Sequence, residues 1–192
     1  MRAAAIALLA LLALGASAAA DAPYQPKKDR ERLAKTTSHP APPAPGTKPG
    51  KLINLYNRWT NDWLAVDPLH PPSLSEINTF LRDHFTNEAT KMEPKLISAV
   101  VAAAQQFKSD IVDVVSGFRH PKYNLMLRKK GRQVARDSQH SHGNAIDFVV
   151  PGVSVEKLHE WAKAQKLGGV GIYLSSKFVH MDTGPIRFWE GD

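Results

Sequence analysis

The chain has 192 residues, 43% hydrophobic and 22% charged, with a formal net charge of +7 at pH 7 and no cysteine. The absence of thiols excludes disulfides, thiolate metal ligands and a lipidated cysteine. The basic balance suits an anionic partner, but the lysines and arginines read as scattered rather than gathered into one stripe with aromatics between them, so nucleic acid is not the expected partner.

At the start of the chain, Arg2 precedes an apolar run over residues 3–14 and a small-residue stretch over 15–20. That order is a secretory signal peptide. The run is shorter than the roughly 20 apolar residues of a spanning helix. We expect cleavage after Ala18 or Ala20, export to the periplasm, and a mature monomer with no stable membrane insertion. Residues 21–50 carry seven prolines, several charges and almost no large apolar side chain. Such a composition buries too little surface to offset ordering entropy, so it reads as a flexible leader. Residues 51–192 have the length of one ordinary domain, with no internal repeat.

Within that domain, residues 52–56 read as a strand, and 59–63 as a turn leading to a second short strand. Residues 73–85 and 94–107 space their apolar positions three and four apart, which predicts two amphipathic helices, the first capped by Ser73 or Ser75. A β-branched strand over 110–116 closes at Gly117, and His120-Pro121 opens a third helix through Leu127. A polar loop follows, then a strand over 145–150 ended by Pro151-Gly152 and a helix over 154–165. Two strands, near 170–174 and 178–183, complete the pattern. Segregated strands and helices predict an α+β domain, a small antiparallel sheet with helices packed on one side.

The chemistry-bearing residues concentrate in the last third. In Ser138-Gln139-His140-Ser141-His142-Gly143-Asn144-Ala145-Ile146-Asp147, a histidine on a glycine-containing loop precedes an aspartate on a strand. Alternation sends Ile146, Phe148 and Val150 to the core and leaves Asp147 on the other face. In Phe178-Val179-His180-Met181-Asp182, His180 and Asp182 share one face. Two histidines and a carboxylate from neighbouring strands make a competent zinc site with an open position for water, although lone histidines and aspartates are as often ordinary hydrogen-bonded residues. A non-haem iron oxygenase would need a further distant histidine. None occurs in residues 183–192. No serine lies in a nucleophile elbow.

The motif Ser138-x-His140-x-x-Gly143-x-Ala145-x-Asp147 resembles the first zinc-binding motif of the D-Ala-D-Ala metallopeptidases, the superfamily of VanX and VanY. Three more segments resemble its murein DD-endopeptidase MepK group: Ser116-Gly117-Phe118-Arg119-His120-Pro121, Gly168-Gly169-Val170-Gly171-Ile172-Tyr173, and Phe178 to Pro185 with Arg187 and Trp189. The resemblance implies a Hedgehog/DD-peptidase-like zinc fold and hydrolysis of peptidoglycan cross-links. It implies Zn2+ bound by His140, Asp147 and His180, and Arg119 near the scissile carbonyl oxygen. The bond cut would be D-alanine to diaminopimelate, diaminopimelate to diaminopimelate, or both. Many superfamily members carry an acid three residues before the last histidine ligand, where this chain has Lys177, a poor base. Asp182 is then the candidate base or the orienter of a ligand, and His142 a further catalytic candidate. Tyr173 and Ser138 are candidate substrate contacts. Two other readings stay open: a carboxypeptidase trimming a terminal D-alanine, and a non-catalytic zinc-containing module that binds peptidoglycan.

The remaining conspicuous residues read as structural. His84, His120 and His159 are expected at the surface or as caps, His39 and His70 in proline-rich stretches, and Trp59, Trp63 and Trp161 in the core. Arg187 and Trp189 either shape the groove or pack against the sheet.

Overall fold

A computed structural model describes residues 52–68, 71–132 and 134–191. The expected signal peptide and leader, with His39 and His70, lie outside the described residues. Among the described residues, β-branched and aromatic side chains recur in seven strands: β1 (Ile53–Asn57), β2 (Trp63–Val66), β3 (Ile111–Ser116), β4 (Ala145–Val149), β5 (Gly169–Tyr173), β6 (Phe178–Asp182) and β7 (Arg187–Gly191). Four helices are interspersed among the described residues, α1 (Leu74–Phe80), α2 (Pro94–Gln106), α3 (Pro121–Lys129) and α4 (Val155–Ala164). None of the described helices is long and apolar enough to cross a membrane.

The strands make one sheet in the order β2-β1-β3-β4-β6-β5-β7. It is mixed, which corrects the expected antiparallel sheet: β1 runs parallel to β3, and β5 parallel to β7. Each parallel pair has a crossover connection in place of a hairpin turn, as parallel pairing requires. β7 is a strand the sequence reading lacks. Its residues are mostly exposed at a sheet edge, so no alternation of buried and exposed positions announces it.

Helix starts follow local chemistry. Ser73 and Glu76 form a capping box at α1, and Ser154 caps α4 through the Lys157 amide. Pro94 and Pro121 occupy first-turn positions of α2 and α3, where a missing N–H costs nothing. Helix α1 stops at Phe80, short of the expected end at residue 85. There the fully buried Asp83 accepts the amides of Phe85 and Thr86, turning the chain instead of letting it wind on.

One face of the sheet contributes Leu55, Val112, Val114, Phe148, Val179 and Met181 to a continuous core with Phe80 of α1, Leu96 and Val100 of α2, and Leu158 of α4. Helix α3 departs from the one-sided packing expected of the helices, since its Tyr123 and Leu127 line a cleft on the opposite face. The residues alternating with the core positions, Asp147, His180 and Asp182, therefore turn toward that second face.

Candidate metal centre

Strand pairing places Asp147 directly opposite His180. His140 reaches the same point from a 3-10 turn over Gln139–His142 that feeds β4. Gly143 makes this approach possible. It ends the turn at φ 74°, and a Cβ there would lie 2.4 Å from the Lys91 carbonyl oxygen.

All three side chains are buried. His140 Nε2 lies 3.1 Å from Asp147 Oδ1 and 3.1 Å from His180 Nδ1, and His180 Nδ1 lies 2.8 Å from Asp147 Oδ1. The outer ring nitrogens fix the tautomers. His140 Nδ1–H donates to the Gly117 carbonyl at 2.7 Å, and His180 Nε2–H donates to Asp182 Oδ2 at 3.0 Å. Two imidazole lone pairs and a carboxylate oxygen consequently face one another, a donor set suited to a divalent cation.

The three ionisable groups shift one another. Burial would raise Asp147, but the two imidazoles hold its carboxyl well below the usual carboxylate range. Burial would also lower His180, yet hydrogen bonds to Asp147 and Asp182 outweigh it and raise the imidazole. At His140 burial prevails and the shift is downward.

Asp182 is fully buried behind His180. It accepts five hydrogen bonds, from His180 Nε2, the amides of Gly169 and Gly184, and both terminal nitrogens of Arg187. These partners overcome the effect of burial and hold its carboxyl low. Asp182 is not among the residues lining the cleft, and every lone pair of its carboxylate is engaged.

An open cleft of about 850 Å³ lies over the trio and is lined by Arg119, Ser138, Tyr173 and Trp189 among others. Arg119 Nη2 stands 3.7 Å from Asp147 Oδ2. The Tyr173 hydroxyl accepts the Trp189 indole N–H at 3.3 Å, leaving its own proton available to the cleft, and burial raises its pKa. Trp189 rests on Gly171, where a Cβ would come within 2.4 Å of the indole, and its ring lies 5.1 Å from that of His180. Arg187 and Trp189 thus build the wall of the cleft as well as packing the edge strand.

Of the residues singled out by sequence, the structure gathers His140, Asp147, His180, Arg119, Ser138 and Tyr173 around one cleft, with Asp182 behind it. His142 lies outside the cleft lining, half exposed and bonded through Nε2 to Asp137 at 2.5 Å. Lys177 sits at φ 55° in the turn between β5 and β6 and lines a separate hollow with Ser154 and Leu174. Trp59 and His84, expected in the core and at the surface, stack on each other with ring centroids 4.3 Å apart and line the far end of the cleft.

Asp83 is the residue the sequence reading missed. Beyond turning the chain after α1, it accepts the His120 amide at 2.9 Å. Phe118 N–H donates to the Leu81 carbonyl, and Arg119 N–H to the His140 carbonyl. The segment carrying Arg119 is therefore pinned at successive amides.

Two imidazoles and a carboxylate at the floor of an open cleft, on a mixed sheet backed by helices, place the protein among the metallopeptidases. The chain belongs to the family described as peptidoglycan L,D-endopeptidase MepK, whose model matches residues 50–189. A Haemophilus influenzae protein named probable peptidoglycan L,D-endopeptidase MepK is 33% identical over 151 residues, covering 78% of this chain and 81% of that protein. The peptidoglycan L,D-endopeptidase MepK of Escherichia coli K12 is 35% identical over 117 residues, covering 60% of this chain and 64% of that protein. The protein of that name in Shigella flexneri matches to the same extent. No solved structure matches at a significant level.

Proposed function

We propose that this chain is a zinc-dependent murein endopeptidase, acting as a monomer in the periplasm after signal removal on a Hedgehog/DD-peptidase-like zinc fold. The observation that carries the reading is the mutual approach of His140 Nε2, His180 Nδ1 and Asp147 Oδ1, with each outer imidazole nitrogen engaged by an acceptor. Such a set holds a cation and leaves open positions for water and substrate. Bound zinc supplies Lewis acidity at a carbonyl and lowers the pKa of water toward about 7. Neutral and anionic nitrogen and oxygen donors fit that ion.

The chain's own residues do the rest. Arg119 presents a fixed cationic fork where negative charge develops on the carbonyl oxygen. Tyr173, its oxygen fixed by Trp189, donates its phenolic proton into the cleft. Ser138, buried at the cleft edge, contacts the substrate backbone. Asp182 serves as a positioning residue for His180, since its lone pairs are all engaged, and His142 has no part in this scheme. Asp182→Asn is then expected to weaken zinc binding 10- to 100-fold. Titration against a competing chromophoric chelator reads that loss directly. An affinity equal to wild type would contradict the role.

Of the two cross-links the resemblance allows, the relatives' designation L,D favours the diaminopimelate to diaminopimelate bond, in which an L-centre carbonyl is joined to a D-centre amine. Purified dimeric muropeptides of each linkage, incubated with zinc-loaded and with chelated protein, test the assignment by chromatography. Metal-dependent conversion of dimers to monomers is the expected outcome, and the linkage consumed names the bond. One observation favours a second reading, a non-catalytic module. Apart from the ligand Asp147, the only carboxylate lining the cleft among the described residues is Asp137, which is bonded to His142. Wall binding with no dimer consumed supports that second reading.

A further inference from the structure

Lysines and arginines look scattered along the sequence, but the fold gives one group of them a common place. Residues 120–136 contain Lys122, Arg128, Lys129, Lys130, Arg132 and Arg136 and no acidic residue. The described residues of this stretch comprise α3 and the segment leading to the 3-10 turn, and Tyr123, Leu127, Lys130, Arg132, Val134 and Ala135 among them line one rim of the cleft. Lys130 and Arg132 line the cleft itself. Arg128, Lys129, Arg132 and Arg136 are exposed, and none makes an ion pair with another described residue. By contrast, Arg119 and Arg187 are matched by Asp147 and Asp182.

Local stability explains only part of this clustering. Arg128 and Lys129 fall in the last turn of α3, where cations complement the helix dipole. Arg132 sits at the same helix end, its amide on the Leu127 carbonyl, but Arg136 lies well beyond the helix and gains nothing from it. Like charges at this density repel one another, a cost that an external polyanion removes.

We propose that this rim is a second binding site, separate from the metal centre, that takes the free carboxylates of uncleaved stem peptides beside the scissile cross-link. The proposal rests on the endopeptidase reading, because a wall polymer presents carboxylates in the spaced, multivalent form that a row of cations engages. The rim raises residence on the polymer, while the chemistry stays with the trio opposite. Its contribution is exposed to solvent and falls as salt shortens the Debye length from about 10 Å at 0.1 M.

The test uses zinc-loaded enzyme and reads apparent KM on intact sacculi, on sacculi whose carboxylates have been amidated, and on soluble dimers. The variant Arg128→Gln/Lys129→Gln/Arg136→Gln leaves the residues lining the cleft in place. Its KM on sacculi at low salt is expected to rise roughly tenfold, with a rise on soluble dimers less than a third of that. Amidation raises the wild-type KM by a similar factor and adds nothing to the variant. A charge-matched control, Lys157→Gln/Lys166→Gln/Lys177→Gln, moves KM less than about twofold. Equal KM for wild type and variant overturns the proposal. So does a deficit that persists on amidated sacculi, which would assign the rim to phosphate-bearing polymers instead. Sedimentation of the same proteins with sacculi separates the two readings. Tenfold better sedimentation of wild type without product release sinks the endopeptidase assignment alone, and equal sedimentation sinks the rim.

Discussion

His180→Ala and His140→Ala are each expected to remove stoichiometric zinc and at least about a thousandfold of the activity. A metal acting as Lewis acid contributes several kcal/mol of transition-state stabilisation. Each tenfold in rate corresponds to about 1.4 kcal/mol. The two variants should differ in their structural cost. Loss of the His180 ring deprives buried Asp182 of its Nε2–H donor and opens a gap beside Asp147. His140 leaves the Gly117 carbonyl without its donor and frees the segment that carries Arg119. Metal content by atomic emission, read beside dimer cleavage and thermal melting, distinguishes loss of the ion from loss of the fold. A folded His180→Ala protein that still cleaves dimers at the wild-type rate would remove the trio from the mechanism.

Arg119→Ala should retain zinc and lose about 100- to 1,000-fold in kcat, the range for removing one pre-aimed donor to a developing oxyanion. The guanidinium is mostly buried and lies 3.7 Å from Asp147, so it is held in place before substrate arrives. KM should change far less, because the interaction strengthens as charge develops. Arg119→Lys is expected to recover only part of kcat, since an ammonium lacks the planar fork. A variant whose KM rises while kcat stays constant would reassign Arg119 to substrate binding. Both results come from one steady-state series on soluble dimers, with zinc content confirming that the site is loaded.

Much of the site was legible because strand alternation is a strict rule. Once Ile146 and Phe148 are assigned to the core, Asp147 has only one other face to occupy, and the same holds for His180 between Val179 and Met181. The helices were readable for the related reason that apolar spacing and capping residues coincide, as at Ser73 and Ser154. What escaped depends on contacts across long sequence separations. Nothing near Asp83 indicates that its carboxylate will take an amide 37 residues away. The parallel pairing of β5 with β7 sets Trp189 over Gly171, and the sequence around Trp189, unlike the strand read over 170–174, carries no alternation that announces it. Asp182 could be placed beside His180 from sequence. Its saturation could not, since the Gly169 amide comes from the neighbouring strand, and the Gly184 amide and Arg187 guanidinium reach it only because the chain bends back after β6.

The bracing between His140 and the 117–119 segment bears on how such a protein can change over generations. His140 donates to Gly117 and accepts from the Arg119 amide, so ligand and guanidinium are tied directly across the cleft floor. The distance between them does not depend on the limb of chain that runs from α3 to the 3-10 turn. Insertions, deletions and changes of charge in that limb can accumulate while the reacting groups keep their spacing. The reacting groups form a tool braced within itself, and the limb is a handle that can be rewritten without moving them.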